Sequence, residues 1–234
     1  MKIGNRKIGS DQPSYIIAEA GTAHGGDLYI AMQFVEAAKN AGADAIKFQM
    51  FTPREELFCP MEGDEDRWTW WNKSMLTLEK WKGVKRYADD LGLHFFASVF
   101  QKTGIEWGKE LEFPVWKVAS RAAYDFPYDD VSGPIIVSNG LCVVGPAPNQ
   151  IILECRSEYP TPLAVAGWLA TDFTNGLSDH SGTIFPALDA MARGASVIEV
   201  HIKLNDTGPD AESSITPYNL KQICEARDGF AAMH

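Results

Sequence analysis

Short apolar runs recur along the chain between polar or helical stretches, and eight of them have the length of a β-strand. Their apolar character is continuous rather than alternating, which is typical of parallel strands that are buried on both faces. We therefore predict eight buried strands, in residues 15–20, 44–49, 94–98, 114–120, 134–138, 150–155, 173–180 (the weakest run) and 196–201.

Amphipathic patterns with a helical period separate several of these strands. Residues 28–41, 78–91 and 184–192 each end close to a glycine, which commonly caps the C-terminus of a helix. A fourth helix is predicted in residues 217–230, because Thr216 is a suitable N-cap and proline follows it at the first helical position. Strands that alternate with helices through short links predict an α/β fold, and eight such units predict a (β/α)8 TIM barrel.

Parts of the chain depart from the ideal barrel repeat. Residues 140–149 contain two prolines and no helical period, and residues 164–170 are long enough for two turns at most. We therefore expect some barrel helices to be reduced, and an open doubly wound sheet remains the structural alternative. Residues 2–8 predict a β-hairpin with Gly4 and Asn5 at its turn, which caps the bottom of the barrel.

The length and composition fit a single catalytic domain over residues 1–234, with the hairpin in residues 1–13. The chain has 234 residues, of which 45% are apolar, and this is about the size of one full barrel. The net charge of −10 and the lack of a basic stripe exclude nucleic acid as a partner. Against that negative background, a local group of lysines indicates an anionic ligand.

The cysteines and the apolar runs bear on the cellular compartment. Four cysteines form no CxxC pair, and no stretch has the length and apolarity of a secretion signal or a membrane span. We therefore expect a cytoplasmic protein with reduced thiols and no membrane contact.

Residues 62–71 are predicted to form a loop after the second strand. Its first half, 62–67, reads as a solvated acidic turn, and three tryptophans follow within residues 67–71. We favour the interpretation that these rings pack over the barrel rim or at an oligomer contact. A lid or an aromatic platform for a sugar is the alternative.

Polar residues stand at the C-terminal ends of all eight predicted strands. Any one of them has an ordinary structural explanation, such as a turn-forming serine or a lysine at a sheet edge. Together they indicate a pocket, because the C-terminal strand ends of a barrel converge on one rim. In strand order these residues are Glu19; Lys47 and Gln49; Ser98; Lys117 and Ser120; Ser138; Glu154 and Ser157; Ser178, Asp179 and His180; and Glu199 and His201.

The residue types at this rim fit one class of ligand. Lys47 and Lys117, supported by serine hydroxyls, would supply cations and short donors for a phosphate and a carboxylate. His180 and His201 on adjacent strands could hold one divalent metal with positions left open for water or substrate. Glu19 provides a carboxylate for proton transfer or for holding a sugar hydroxyl.

A series of motifs resembles the N-acetylneuraminate (sialic acid) synthase family in the right order over nearly the whole chain. The longest is IIAEAGTAHGGDLYIAMQFVEAAKNAGADAIKFQMF in residues 16–51. The others are FASVF (96–100), WKVAS (116–120), SNG (138–140), EYPTP (158–162), GLSDHSG (176–182), VIEVHIKL (197–204) and TGPDAESSITPYNLKQI (207–223).

The resemblance implies a transferase that condenses phosphoenolpyruvate with N-acetylmannosamine or a related amino-sugar aldehyde, giving a nonulosonic (sialic) acid and phosphate. It implies a divalent metal, Mn²⁺ or Mg²⁺, on His180 and His201, and contacts of Glu19, Tyr159 and Asp210 with the sugar. The phosphoenolpyruvate site would comprise Lys47, Ser98, Lys117, Ser120, Ser138, Ser157 and Ser178, and the catalytic groups would be Glu19, Lys47 and Lys117.

The departures from the family pattern concern the sugar side. Family members usually carry a C-terminal antifreeze-like domain that delivers an arginine to the partner's sugar site, and we expect this chain to lack it. A homo-oligomer therefore stays open. Ala23 replaces an asparagine of the family, and Glu154 stands close to a family histidine position, either as a metal-side carboxylate or, as we favour, without a role.

The identity of the acceptor is left open by these departures. Precursors of legionaminic or pseudaminic acid are alternatives to N-acetylmannosamine. Two further functions compete with the synthase: a non-catalytic barrel that binds a sugar acid, and a sister enzyme that condenses phosphoenolpyruvate with another aldose. A sister enzyme for a sugar phosphate would need additional arginines, and only Arg121 and Arg156 stand near predicted strand ends.

Overall fold

The computed structural model describes residues 1–53, 55–145, 147–169, 171 and 174–233. The strands are β1 (Lys2–Ile3), β2 (Arg6–Lys7), β3 (Tyr15–Gly21), β4 (Ala45–Met50), β5 (His94–Val99), β6 (Trp116–Val118), β7 (Ile135–Asn139), β8 (Gln150–Cys155), β9 (Gly176–Asp179) and β10 (Val197–His201). The α-helices are α1 (Leu28–Ala41), α2 (Asp64–Ser74), α3 (Leu78–Asp90), α4 (Lys102–Glu110), α5 (Phe185–Ala192) and α6 (Pro217–Ala232).

Strands β3 to β10 form a closed parallel barrel in chain order, because β10 pairs with β3 as well as with β9. This confirms the predicted (β/α)8 fold and excludes the open sheet. The predicted strand bounds agree within one residue, apart from those of β6 and β9. Strand β6 is shorter than predicted because a 3₁₀ turn begins at Ser120, and residue 173 of the predicted seventh strand lies outside the described residues.

The four predicted helices form with nearly the predicted bounds, as α1, α3, α5 and α6. In α1, the Asp27 side chain accepts hydrogen bonds from the first-turn amides of Tyr29 and Ile30. Gly42 ends the helix in the left-handed region, with φ of 90°, and donates to the carbonyls of Ala38 and Lys39. Both ends of α1 are thus fixed by local sequence.

The prediction that residues 62–71 form a loop is wrong, because most of them belong to helix α2. Three acidic residues, Asp64, Glu65 and Asp66, occupy its first turn, where negative charge favours the positive end of the helix dipole. Asp64 is buried rather than solvated, and so are Trp68 and Trp71. The residues that were predicted to form a solvated acidic turn therefore include the first turn of a helix, and one of their carboxylates is buried.

The predicted reduction of barrel helices is confirmed on one side of the barrel. Within the residues that the structure describes, the connections after β6 and β8 contain 3₁₀ turns and no α-helix, and the connection after β7 contains neither. The turn Leu163–Val165 is what forms from the predicted 164–170 segment, whose last residue lies outside the described residues.

The N-terminal hairpin closes the barrel bottom, as predicted. Strands β1 and β2 pair antiparallel around Gly4, whose φ of 54° suits the tight turn. Ile3 and Ile8 pack on barrel residues such as Tyr15 and Phe96 in an apolar cluster. With the lower half of the barrel filled in this way, polar groups can gather only in its upper half.

Two further predictions concern cysteines and membranes. All four cysteines are unpaired thiols. Among the described residues, no helix combines the length and the apolarity that a membrane crossing needs.

Candidate active site

Two lysines and two glutamates form a buried network in the upper half of the barrel. Lys47 Nζ lies 2.7 Å from Glu19 Oε2 and 3.7 Å from Glu199 Oε2. Lys117 Nζ lies 3.8 Å from Glu199 Oε1, so Glu199 stands between the two ammonium groups. All four residues are at most 3% exposed. Barrel closure produces this proximity, since β10 lies next to β3 and places Glu199 beside the strand that carries Glu19.

Three serines complete the network. Lys47 donates to Ser98 Oγ at 3.1 Å, and Lys117 donates to Ser138 Oγ at 2.7 Å. Ser178 donates to Glu199 Oε1 at 2.9 Å. Each serine lies one strand away from its partner, so the barrel register fixes these bonds. A buried ammonium surrounded by short hydroxyls can exchange these partners for the oxygens of an anionic ligand.

Burial and the two carboxylates set the protonation of the lysines. Burial lowers the pKa of Lys117, and the Glu199 carboxylate opposes this only in part. Burial also acts on Lys47, but the Glu19 and Glu199 carboxylates outweigh it and raise the pKa of that ammonium. Lys47 is therefore the more firmly charged of the two.

Glu19 is the group in this network that is poised to bind or release a proton near neutral pH. Burial raises the pKa of Glu19 to about 7, although the Lys47 ammonium acts in the opposite direction. Glu199 differs, because the charges of Lys117 and Lys47 outweigh its burial and lower its pKa. The two glutamates are thus divided into one that holds a proton easily and one that stays ionised.

Glu19→Gln is expected to change the pH dependence of stability. The folded protein holds the Glu19 proton more tightly than the unfolded chain, so this group stabilises the fold below about pH 4.5 and loses that contribution as pH rises through about 7. Between about pH 5 and about pH 8, the free energy of unfolding of the wild type should fall by roughly 2 kcal/mol relative to that of the variant. Urea unfolding at both pH values measures this difference, and parallel pH profiles would contradict the assignment.

Two buried histidines lie beside the network at the barrel mouth. The ring centroids of His180 and His201 are 5.0 Å apart. Burial lowers the pKa of His180 to about 4 and that of His201 well below its usual range, so both rings are neutral near pH 7. His180 Nδ1 lies 2.7 Å from the carbonyl oxygen of Arg156, which places its proton there and leaves a lone pair on Nε2.

These residues fit a divalent metal that takes most of its ligands from water and substrate. The His180 Nε2 lone pair lies 3.0 Å from the hydroxyl of Tyr159, and Asp210 Oδ2 lies 4.0 Å from His201 Nδ1. Within the described part of the chain, no three His, Cys, Asp or Glu side chains converge as a ready-made ligand group. Two neutral imidazoles with one carboxylate at hand supply nitrogen and oxygen donors and leave open positions.

Ser120 and Ser157 meet at Gly140, which follows β7. A Cβ atom at Gly140 would lie only 2.9 Å from Oγ of each serine and 3.0 Å from the carbonyl oxygen of Cys155. Ser120 Oγ also accepts a hydrogen bond from the amide of Leu141 at 2.5 Å. Glycine at position 140 thus leaves room for two serine hydroxyls from different connections to lie against its backbone.

A cavity of about 410 Å³ opens above this region, within the range of small-molecule sites. One of its walls carries Tyr159 and Asp210 next to the histidines. Another part of the lining is formed by α2 and by aromatic residues that follow β4 and β5. Its lining residues include Thr22, Gln49, Phe51, Met61, Arg67, Trp70, Trp71, Phe100, Ser120, Arg121, Ser157, Tyr159 and Asp210.

Glu154 does not belong to the site. Its Oε2 accepts a hydrogen bond from the amide of Leu169 at 2.8 Å, and its Oε1 lies 3.5 Å from Arg156. The Glu154 side chain therefore stabilises the connection after β8, and both of its described contacts are with that connection. This favours the interpretation without a metal role.

The structure brings the predicted site residues together at one rim, in three adjoining groups. The network holds Glu19, Lys47, Ser98, Lys117, Ser138 and Ser178; the mouth holds Tyr159, His180, His201 and Asp210; and Gly140 joins Ser120 and Ser157. The sequence placed Glu199 and Gln49 at strand ends but gave them no role. It gave no role to Arg67, and it gave the tryptophans of residues 67–71 a place at the site only as the alternative of a lid or an aromatic sugar platform; Trp70 and Trp71 do line the cavity.

Comparison with known proteins places the chain among sugar-acid synthases. Residues 34–233 match the NeuB family. The N-acetylneuraminate-9-phosphate synthase of Homo sapiens is 30% identical over 256 residues, covering 93% of this chain and 70% of that protein. The N,N'-diacetyllegionaminic acid synthase of Campylobacter jejuni is 29% identical over 246 residues, covering 89% and 74%.

A solved structure agrees with these relatives. The crystal structure of N-acetylneuraminic acid (sialic acid) synthetase from Leptospira borgpetersenii in complex with citrate has a TM-score of 0.86 and 27% identity. The match covers 100% of this chain and 89% of that one. The chain therefore belongs to the NeuB family and is an enzyme.

Proposed function

We propose that the protein condenses phosphoenolpyruvate with N-acetylmannosamine or a related amino-sugar aldehyde, releasing phosphate and a nonulosonic acid. The main support for this proposal is the buried pair Lys47 and Lys117 in the upper half of the barrel, where each ammonium group is hydrogen-bonded to a serine. Buried ammonium groups that can exchange their serine and carboxylate partners suit an anionic ligand, and phosphoenolpyruvate has a phosphate and a carboxylate.

The reaction joins C3 of phosphoenolpyruvate to the aldehyde carbon, and the enol electrons form the new bond. The C2 atom becomes electron-deficient, and Glu19 offers a carboxylate that stabilises this charge. Water then adds at C2, and Glu19 accepts its proton and passes it to the former aldehyde oxygen. The C2–O bond to phosphate breaks as the new C2 hydroxyl becomes the keto group and gives its proton to the leaving phosphate. The pKa of about 7 suits Glu19 for this exchange, because the group can both accept and release a proton near neutral pH.

The lysines bind and neutralise the anion during this sequence. Lys117 and Lys47 would exchange their serine and glutamate partners for oxygens of phosphate and carboxylate, and Glu199 would keep both ammonium groups charged before substrate arrives. Ser120 and Ser157 supply further hydroxyl donors at Gly140.

A divalent metal, Mn²⁺ or Mg²⁺, would be held by His180 and His201 and, when bound, would polarise the aldehyde oxygen. Tyr159 and Asp210, which adjoin these histidines, would orient hydroxyl groups of the acceptor. The four unpaired thiols support a cytoplasmic location for the enzyme.

The proposal is tested by measuring phosphate release from phosphoenolpyruvate with and without an amino sugar. Release should require both substrates together with the metal, and a chelator should abolish it until Mn²⁺ is restored. Binding of phosphoenolpyruvate without release, across hexosamine, pentose and tetrose acceptors, would instead identify a non-catalytic barrel.

Gly140→Ala is expected to raise KM for phosphoenolpyruvate about tenfold while the protein stays folded. The added methyl group would collide with Oγ of Ser120 and of Ser157 and push them apart. Gly145→Ala is the matched control, because a Cβ at Gly145 has no described heavy atom within 4 Å. Initial rates with both variants measure the effect, and equal KM values would remove the serine pair from the site.

A further inference from the structure

Helix α2 contributes three side chains to the cavity lining, Arg67, Trp70 and Trp71. Arg67 and Trp70 are three residues apart, so they lie side by side on the helix. Trp71 belongs at the same time to a buried apolar cluster with Trp68 and Phe51. The helix is therefore anchored by the cluster that also forms part of the cavity wall.

The anchoring makes α2 a fixed wall rather than a free flap. Trp71 stacks on Phe51 with ring centroids 4.5 Å apart, and Phe51 stacks on Phe100 at 4.7 Å. At the cavity face, Trp70 Nε1 donates to Thr22 Oγ1 at 2.8 Å, which ties the helix to the connection after β3. Side chains on such an element are held in place before any ligand binds.

The start of α2 is held by ion pairs between Asp64 and two arginines. Arg121 donates to both carboxylate oxygens of Asp64, at 3.0 Å and 2.6 Å, and also to the carbonyl oxygen of Cys59. Arg67 lies 3.3 Å from the same Asp64 Oδ1. Two guanidinium groups thus share the carboxylate of Asp64, so neither has that carboxylate to itself.

Arg67 is the more accessible of the two arginines. Its side chain is 53% exposed, against 13% for Arg121, and in the part of the chain that the structure describes the only hydrogen bond of its guanidinium group is the one to Asp64. The acidic Glu65 of the same helix lines a different depression next to the cavity. Asp210, the acidic residue of the cavity lining, lies 4.0 Å from Nδ1 of His201.

We infer that Arg67 is a specificity-determining residue that binds an anionic group at the far end of the acceptor, with Trp70 as the wall beside it. The inference rests on the proposed function, since the aldehyde end must face Glu19 and the histidines. The acceptor is then an N-acylated amino sugar with a terminal phosphate or carboxylate. Both groups suit the planar fork of a guanidinium.

The test compares N-acetylmannosamine, its 6-phosphate and its 6-carboxylate as acceptors, and distinguishes the two anions. The wild type should show a higher kcat/KM for one or both charged sugars than for the neutral sugar. Arg67→Gln should reduce the ratio of charged to neutral kcat/KM about tenfold or more, and Arg67→Lys should restore part of it. Arg86→Gln, an exposed arginine on α3, should leave the ratio as it is in the wild type.

Binding is measured apart from turnover, so that the two proposals can fail separately. Calorimetry with the unreactive alditols of the neutral and phosphorylated sugars reports affinity even when no condensation occurs. Tighter binding of the phosphorylated alditol, lost in Arg67→Gln, supports the inference whether or not the protein is catalytic. The inference is overturned if the phosphorylated alditol binds no more tightly than the neutral one, or if neither alditol binds. It is also overturned if Arg67→Gln weakens the binding of both alditols equally.

Discussion

Lys117→Met is expected to lower kcat/KM for phosphoenolpyruvate by at least about a thousandfold. Lys117 is 2% exposed, and its hydrogen bond to Ser138 Oγ holds the ammonium in place beside strand β7. Without it the leaving phosphate loses one of its two buried counter-charges, and Lys47 is bound too closely to Glu19 to replace it. Steady-state phosphate release measures the loss.

Methionine fills the space of the lysine stem, so the variant tests charge rather than packing. Lys109→Met, an exposed change on α4, is the control and should show wild-type rates. Circular dichroism establishes that both variants are folded. A folded Lys117→Met protein with wild-type kinetics would remove Lys117 from the phosphoenolpyruvate site and with it the main support of the proposed function.

Glu199→Gln is expected to lower the free energy of unfolding by about 3 kcal/mol near neutral pH. Glu199 lies within 3.8 Å of both buried lysines, and the isosteric amide removes its charge while it can still accept the hydrogen bond from Ser178. Two ammonium groups are then buried with Glu19 as their remaining described carboxylate neighbour. Chemical denaturation of both proteins gives the difference.

The lost charge in Glu199→Gln should also change how strongly an anionic ligand stabilises the protein. Inorganic phosphate should raise its melting temperature more than that of the wild type, because an anion replaces the lost negative charge. Glu79→Gln, at the exposed pair with Lys82, is the control and should change stability by less than about 0.5 kcal/mol. Equal stability of Glu199→Gln and wild type would show that Glu199 does not balance the lysines.

The barrel and its polar rim could be predicted because both follow from local patterns. Continuous apolar runs mark buried parallel strands, and closure of eight of them brings residues such as Lys47 and His201 to one end, although they are far apart in sequence. The role of Glu199 could not be predicted in the same way. It depends on β10 lying between β9 and β3, which sets Glu199 beside Ser178 and near both lysines.

Helix α2 shows where the sequence was misread. Its buried residues, Asp64, Trp68, Trp71 and Ser74, follow a helical spacing of four, three and three. That signal was present, but charged and aromatic side chains hid it, since the buried face contains an aspartate and a serine where aliphatic residues are usual. The burial of Asp64 depends on Arg121, which comes from a connection that no local pattern links to α2.

The most direct measurement is the mass of the product formed from phosphoenolpyruvate and a panel of amino sugars, neutral and charged, in the presence of Mn²⁺. We expect a product whose mass is the sum of the acceptor and pyruvate, with one phosphate released per molecule formed and none in the presence of a chelator. A folded, metal-supplied protein that forms no such product with any acceptor would contradict the proposed synthase.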